Sequence, residues 1–424
     1  MIRNILSTAG SRLITGFILL GVLFLHTNYL GTSILGDITL FKIALTINNL
    51  IAAICCGPAI VYVCNRYKPS EVFIPAFVWI TITSIGISLT QALLGLFPTE
   101  YTGWMITCSF MFALQVFYEN ILLSRERILI YNTSALLHHT LLIAVTFYLI
   151  DFSPVLSAYN YIYALAIALA VNLTFLVFTT WKAMNYSMLR VKAEVFNLLF
   201  VSGFMAQLTN FIQTLNYRVS VYFLFRYWGK NAVGYFGACL QLAEAIWIIG
   251  KSLALIQYAR LVSSKDKQYQ VRFTLLFSKV CLLFTLLASG CILVLPEHFM
   301  VYVLGPEFAG VKYYLLLLIP GILCFSLVLV LAGFYSAQGR FYVNTIGSAL
   351  SLMIIAISGY MVIPENGITG ASIVYSTGLA ALMVFYLFIF TIYNRVSLLQ
   401  FFPNRADFKQ VKSIIRDYKV KKVK

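Results

Sequence analysis

Apolar runs of about twenty residues, separated by short polar gaps, fill this chain as far as residue 392. A helix needs roughly 20 such residues to cross the ~30 Å hydrocarbon core of a bilayer, where every backbone polar group must find its partner within the fold. Composition agrees, since 61% of the 424 residues are hydrophobic, 10% are charged and the mean hydropathy is +0.89. A soluble domain carries about 25% charged residues. The runs fall at 14–29, 39–63, 73–96, 104–123, 128–150, 159–180, 198–225, 233–258, 273–295, 313–336, 342–363 and 368–392. The expected fold is an all-α polytopic membrane protein of about twelve transmembrane helices. The first run follows Arg3 and Arg12, as a signal peptide would, but it ends in His26-Thr27-Asn28-Tyr29 without a small-residue cleavage site. It reads as an uncleaved first span.

Lysine and arginine collect on the cytoplasmic side of membrane proteins. With the N-terminus inside, the inner segments hold Arg66, Lys68, Arg125, Arg127, Lys182, Arg190, Lys192, Arg260, Lys265, Lys267, Arg272 and Arg340, whereas the outer loops hold only Arg226, Lys230 and Lys312. Both termini are therefore expected in the cytoplasm. The net charge of +16 is mostly this topological bias, spread thinly along anionic headgroups, and calls for no nucleic acid. In the tail, Phe408, Val411, Ile415 and Tyr418 share one helical face beside Lys409, Lys412, Arg416 and Lys419. That pattern suits either a basic helix on the inner leaflet or a solvated tail.

The eight cysteines lie in or beside apolar runs with no Cys-x-x-Cys spacing, so they read as small core residues, and no metal or cofactor is expected. No loop is long enough to fold into a separate domain, so function is expected inside the bundle, as transport and not catalysis. Charges within spanning helices are costly and generally face a cavity or a partner. Arg218 in the seventh span, Glu244 and Lys251 in the eighth and Lys279 in the ninth are such charges. Gln241, Glu244 and Lys251 share a face, and Gln207, Asn210 and Thr214 lead along another toward Arg218. A net-positive pocket on spans seven to nine would attract phosphate, with arginine adding bidentate geometry. The bland alternatives are a structural Arg218–Glu244 bridge and lysines that snorkel. Lys42 reads as lying near the outer end of the second span, where snorkelling is an equal prospect, while Arg226, Lys230 and Lys312 read as interface anchors. Glu119 reads as an interfacial acid near Arg125, and His138 and His139 as structural histidines or a proton relay. Gly57-Pro58 and Pro320-Gly321 are expected to kink spans two and ten.

The segment Asn231-Ala232-Val233-Gly234-Tyr235-Phe236-Gly237-Ala238 resembles the vGxYxxA entry to helix eight of the Wzx-type polysaccharide flippases, in the multidrug/oligosaccharidyl-lipid/polysaccharide exporter superfamily. Leu304-Gly305-Pro306-Glu307-Phe308 resembles the element after helix nine of that family. Ile363-Pro364-Glu365-Asn366-Gly367-Ile368-Thr369-Gly370-Ala371 resembles the turn before its helix twelve, and Ser336-Ala337-Gln338-Gly339-Arg340 its exit from helix ten. The first half matches only loosely, at Gly31, Gly36 and Gly57-Pro58. The resemblance implies two six-helix lobes, 1–190 and 191–395, around a cationic cavity, with a basic tail at 396–424. It also implies alternating-access flipping of a polyprenyl-diphosphate-linked oligosaccharide across the bacterial inner membrane, for O-antigen or other surface polysaccharide biosynthesis. The substrate-contacting set would be Arg218, Lys251, Lys279, Glu244, Lys42, Gln207 and Asn210. The implied partners are the anionic lipid-linked oligosaccharide, membrane lipid, a polysaccharide polymerase and a coupling H+ or Na+. The competing reading within that superfamily is an ion-coupled multidrug or cation antiporter, which relies on embedded acids where this chain has Arg218.

Overall fold

The computed structural model describes residues 2–64, 66–184, 193–262, 264 and 266–401. Arg190, Lys192, Lys265 and the tail beyond residue 401 lie outside the described residues. Among those described, the regular structure is helical: α1 (Ile2–Tyr29), α2 (Gly31–Cys56), α3 (Ala59–Val63), α4 (Pro69–Leu93), α5 (Thr102–Ser124), α6 (Ile128–Phe152), α7 (Ala158–Met184), α8 (Ala193–Val262), α9 (Lys267–Val294), α10 (Glu297–Leu304), α11 (Val311–Ala337) and α12 (Phe341–Asn394).

Two of these cannot be single straight helices. At 1.5 Å per residue, the 70 residues of α8 would reach about 105 Å, several times a bilayer core. Gly229 leaves helical geometry at φ 75°, and the chain doubles back there. Arg218 and Glu244, 26 residues apart, meet as a consequence at 3.1 Å. In α12 the reversal falls at Gly367, φ 53°, and lets Ser351 donate to the carbonyl of Gly378 at 2.8 Å. A positive φ is where glycine alone is unstrained. Ten apolar stretches, two of them doubled back, give twelve crossings among the described residues.

Large apolar side chains such as Leu93, Phe178, Leu287, Ile357 and Phe388 are exposed, as suits a surface solvated by lipid. The first six spans pack chiefly on one another (α1 on α6, α6 on α7, α7 on α5, α5 on α4), and so do α8, α9, α11 and α12. The two halves are joined above all by α2 lying along both arms of α8. Small residues let these backbones approach, which is how helices associate in lipid. A Cβ on Gly36 would strike the Lys230 carbonyl, one on Gly234 the Thr32 carbonyl, and one on Gly203 the Ile54 carbonyl.

Several expectations need adjusting. The second span begins at Gly31 and not near Thr39, because Gly31 (φ 72°) turns the chain directly out of α1. Its break does fall at Gly57-Pro58, where α2 gives way to α3. Pro320 lies within the continuous α11, and Gly321 beside it brings the backbone of Ser376 close. The short α10 was not anticipated. All eight cysteines are free, and Cys55, Cys56, Cys108, Cys239 and Cys281 are buried.

Candidate functional site

Earlier by eight residues than the apolar pattern suggests, the start of α2 carries Lys42 eleven residues into the helix, about 16 Å deep. Lys42 therefore does not snorkel to the interface. Its Nζ donates to Gln241 Oε1 at 3.1 Å and stands 6.0 Å from the centre of the Tyr161 ring. The reversal at Gly229 sets Arg218 on one arm of α8 against Glu244 on the other, at 3.1 and 3.4 Å through the two guanidinium nitrogens. Both side chains remain about a quarter exposed, 23% and 24%, so the pair borders open space and is not sealed in the core.

That space is a cavity of about 70 Å³ lined by Lys42, Arg218 and Gln241, with Thr39, Thr46 and Gly237. It lies where the first half meets the second. Along α2 it is flanked on one side by the approach of Gly36 and Gly234 between α2 and α8, and on the other by that of Gly203 and Ile54. About 70 Å³ holds two or three water molecules at ~30 Å³ each. No oligosaccharide fits, so a large substrate would require α2 and α8 to part.

An aromatic cluster sets the rotamers behind the pair. Trp247 is buried, with its ring 4.3 Å from Phe325, 5.4 Å from Tyr217 and stacked 6.4 Å from Tyr375. Such contacts contribute roughly 0.5–1.5 kcal/mol each beyond area burial. Lys251, one turn beyond Trp247, is exposed and holds its ammonium 5.6 Å from that ring. Arg218 and Glu244 lie within electrostatic range of both Lys42 and Lys251.

The structure thus brings Arg218, Glu244, Lys42 and Gln241 together, with Lys251 nearby. Gln207 and Asn210 bond each other at 3.2 Å, and the Gln207 amide lies against Gly57, about three turns from Arg218. Lys279 is half-buried on α9 and does not line the cavity.

Four features escaped the sequence reading. Lys230 forms no mere interface anchor but an ion pair with Asp37 at 3.2 Å, bridging α8 to α2. Glu307 accepts from the Thr32 N–H at 2.7 Å, at the amino end of α2 where the helix dipole favours an anion. Asn28 bonds the Val303 carbonyl, and these three contacts tie the two halves together at one end of the bundle. Glu119, finally, is no interfacial acid beside Arg125. It accepts from Gln115 Nε2 at 3.0 Å and Ser134 Oγ at 3.1 Å, and Ser134 is bonded in turn to Asn172 of α7. The Glu119-to-Ser134 spacing carried no periodic signal that links α5 to α6, so only the fold reveals it.

No family model matches the sequence, and no curated protein matches it either. Solved structures do. The chain superposes with a TM-score of 0.73 on a multidrug resistance MATE family transporter of the MOP superfamily in an inward-facing conformation, at 14% identity over 92% of this chain and 99% of that one. On the lipid II flippase MurJ in an inward closed conformation the TM-score is 0.69, at 13% identity over 95% and 89%. On a Pyrococcus furiosus MOP superfamily transporter, whose description gives its binding pocket a reversed polarity that suggests a different function, it is 0.65 at 13% identity over 91% and 94%. The twelve-crossing chain, with α2 laid along a folded-back α8, has the fold shared by MATE drug transporters of the MOP superfamily and the lipid II flippase MurJ.

Proposed function

We propose that this protein flips a polyprenyl-diphosphate-linked oligosaccharide from the cytoplasmic to the outer leaflet of a bacterial inner membrane, for surface polysaccharide biosynthesis. One observation carries the reading: the central cavity is lined by Lys42 and Arg218, with Lys251 near, and the single acid among them, Glu244, is already held by Arg218. A cavity of that sign attracts a diphosphate and repels a lipophilic cation. Arg218 offers the planar fork that grips phosphate oxygens, and Lys42 a mobile point charge beside it. The diphosphate would compete with Glu244 for Arg218, and the sugars would require the α2–α8 contact to open. The halves 1–190 and 191–395 would rock about that contact, both termini staying in the cytoplasm. Lys279, Gln207 and Asn210 belong to the proposal as contacts made along the path and not at the cavity itself.

The pocket of reversed polarity described for the Pyrococcus furiosus transporter supports using interior sign as a discriminator within this fold. A second reading, export of cationic drugs coupled to an ion, is favoured by Glu119, an embedded acid whose direct partners are neutral.

The test is genetic and chemical. In the native host the gene is deleted, and lipid-linked oligosaccharide and surface polymer are quantified after complementation with wild type, Arg218→Ala or Lys42→Ala. The proposal expects loss of surface polymer and build-up of the lipid-linked intermediate, reversed by wild type and not by Arg218→Ala. Unchanged glycans in the deletion strain would overturn it, and increased sensitivity to lipophilic cations in that strain would favour the second reading.

A further inference from the structure

A second recess lies apart from the central cavity. At the lysine- and arginine-rich end of the bundle, a pocket of about 490 Å³ opens between the start of α9 and the end of α12, with Lys267, Arg272 and Arg395 in its walls. Its floor is apolar, formed by Val271 and Leu275. Tyr393 organises the cations. Lys267 Nζ stands 4.3 Å from the centre of its ring and the Arg340 guanidinium 4.1 Å, while Arg340 also donates to its hydroxyl.

Among the described residues no carboxylate lines this pocket. The acid next to it in sequence, Asp266, is committed to capping α9, where it accepts from the N–H groups of Gln268 and Tyr269 at 2.9 and 3.2 Å. Arg395 is held in the left-handed region at φ 53°, a conformation uncommon for residues other than glycine, at the turn after which Gln400 joins the pocket wall. Gathering four like charges without a counter-charge is unfavourable until an anion joins them.

We infer that this pocket binds a phosphate group, with Lys267, Arg272 and Arg395 as its ligands and Arg340 held in reserve by Tyr393. Its place at the membrane surface and its apolar floor suit a glycerophospholipid headgroup with part of its acyl chain, although a soluble phosphate would meet the same cations. The site is separate from the central cavity and does not depend on the proposed substrate.

The experiment uses the full chain, purified in uncharged detergent. Retention of phosphatidylglycerol and of phosphatidylcholine is read by native mass spectrometry, and inorganic phosphate is then added as competitor. Each basic residue near an anionic partner is worth roughly a fivefold preference. Arg272→Gln/Arg395→Gln is therefore expected to retain phosphatidylglycerol about twentyfold less well than wild type, and the single, exposed Arg272→Gln about fivefold less. Arg125→Gln/Lys182→Gln, a change of equal charge at the ends of α5 and α7, should leave retention unaltered. Selective retention that millimolar inorganic phosphate does not displace identifies the lipid as the source. Displacement by inorganic phosphate from wild type, with the Arg272 and Arg395 dependence intact, identifies a soluble phosphate in the same site. Equal retention by wild type and both pocket variants, or equal loss in the Arg125/Lys182 control, overturns the proposal.

Discussion

The two halves of this protein each carry a glutamate within a spanning helix, and they accommodate it differently. In the second half Glu244 is paired with Arg218 at 3.1 Å across the fold of α8. In the first half Glu119 rests on an amide and a hydroxyl, Gln115 and Ser134, beside Tyr131, which lies within range of both Glu119 and Arg12. An ion pair fixes a charge where it is, so that removing either partner strands the other. Neutral donors make no such demand, because they serve a protonated carboxyl or an amide almost as well. The difference teaches that an acid in a spanning helix is no uniform sign of function. What it means depends on whether its counterpart is another charge.

Breaking the pair in the second half should produce the largest effect. Arg218→Ala leaves Glu244 alone beside a small cavity, and removal of one partner from a buried bridge costs about 3–5 kcal/mol. Because the pair is about a quarter exposed, roughly 2 kcal/mol is the expected loss, seen as a lower melting temperature in detergent. The double change Arg218→Met/Glu244→Leu should recover most of that stability while remaining inactive. Equal instability of the single and double variants would remove the ion pair from the account.

Next in size is the contact that joins the halves. Gly36→Val forces a side chain onto the Lys230 carbonyl, and overpacking of this kind costs about 1–3 kcal/mol. It should hold α2 away from α8 and be detected as increased cross-linking access to Lys42. By contrast Glu119→Gln should change stability by less than about 1 kcal/mol, since the amide keeps the shape and one acceptor for Ser134. A fall in melting temperature as large as that of Arg218→Ala would erase the contrast between the halves. Smallest of all is Asp37→Asn, which weakens a bridge whose buried acid meets a half-exposed Lys230 that water can still solvate, worth about 0.5 kcal/mol. Its readout is faster labelling of a cysteine introduced at the exposed Tyr29, where α1 turns into α2, with little change in melting temperature.

Much of this architecture could be read in the sequence, for identifiable reasons. The twelve crossings follow from run length, and the reversals near Gly229 and Gly367 from the short polar gaps that hold them. Among the motif glycines, Gly234 lies against the backbone of Thr32. Arg218, Glu244 and Lys251 stood out because charge in an apolar run is conspicuous. Lys42 was misplaced in depth because Gly31-Thr32-Ser33 reads as a polar loop, yet the left-handed Gly31 starts a helix at once. Lys230–Asp37 and Glu119–Ser134 were illegible for a different reason. They join residues on separate helices, and no periodicity within one helix records which neighbour it will face. Lys279 shows the converse, for a conspicuous charge need not belong to the conspicuous site.

The central claim is that the cavity between α2 and α8 recognises a diphosphate. Its most direct measurement is the affinity of the purified protein for a polyprenyl-diphosphate sugar in uncharged detergent, compared among wild type, Arg218→Ala and Lys42→Ala, with a lipophilic cation as the competing ligand. The account predicts that wild type binds the diphosphate in preference to the cation and that each variant weakens it about tenfold or more, as loss of a charge-assisted contact does. Binding of the diphosphate that ignores both substitutions, or a wild-type preference for the cation, would contradict it.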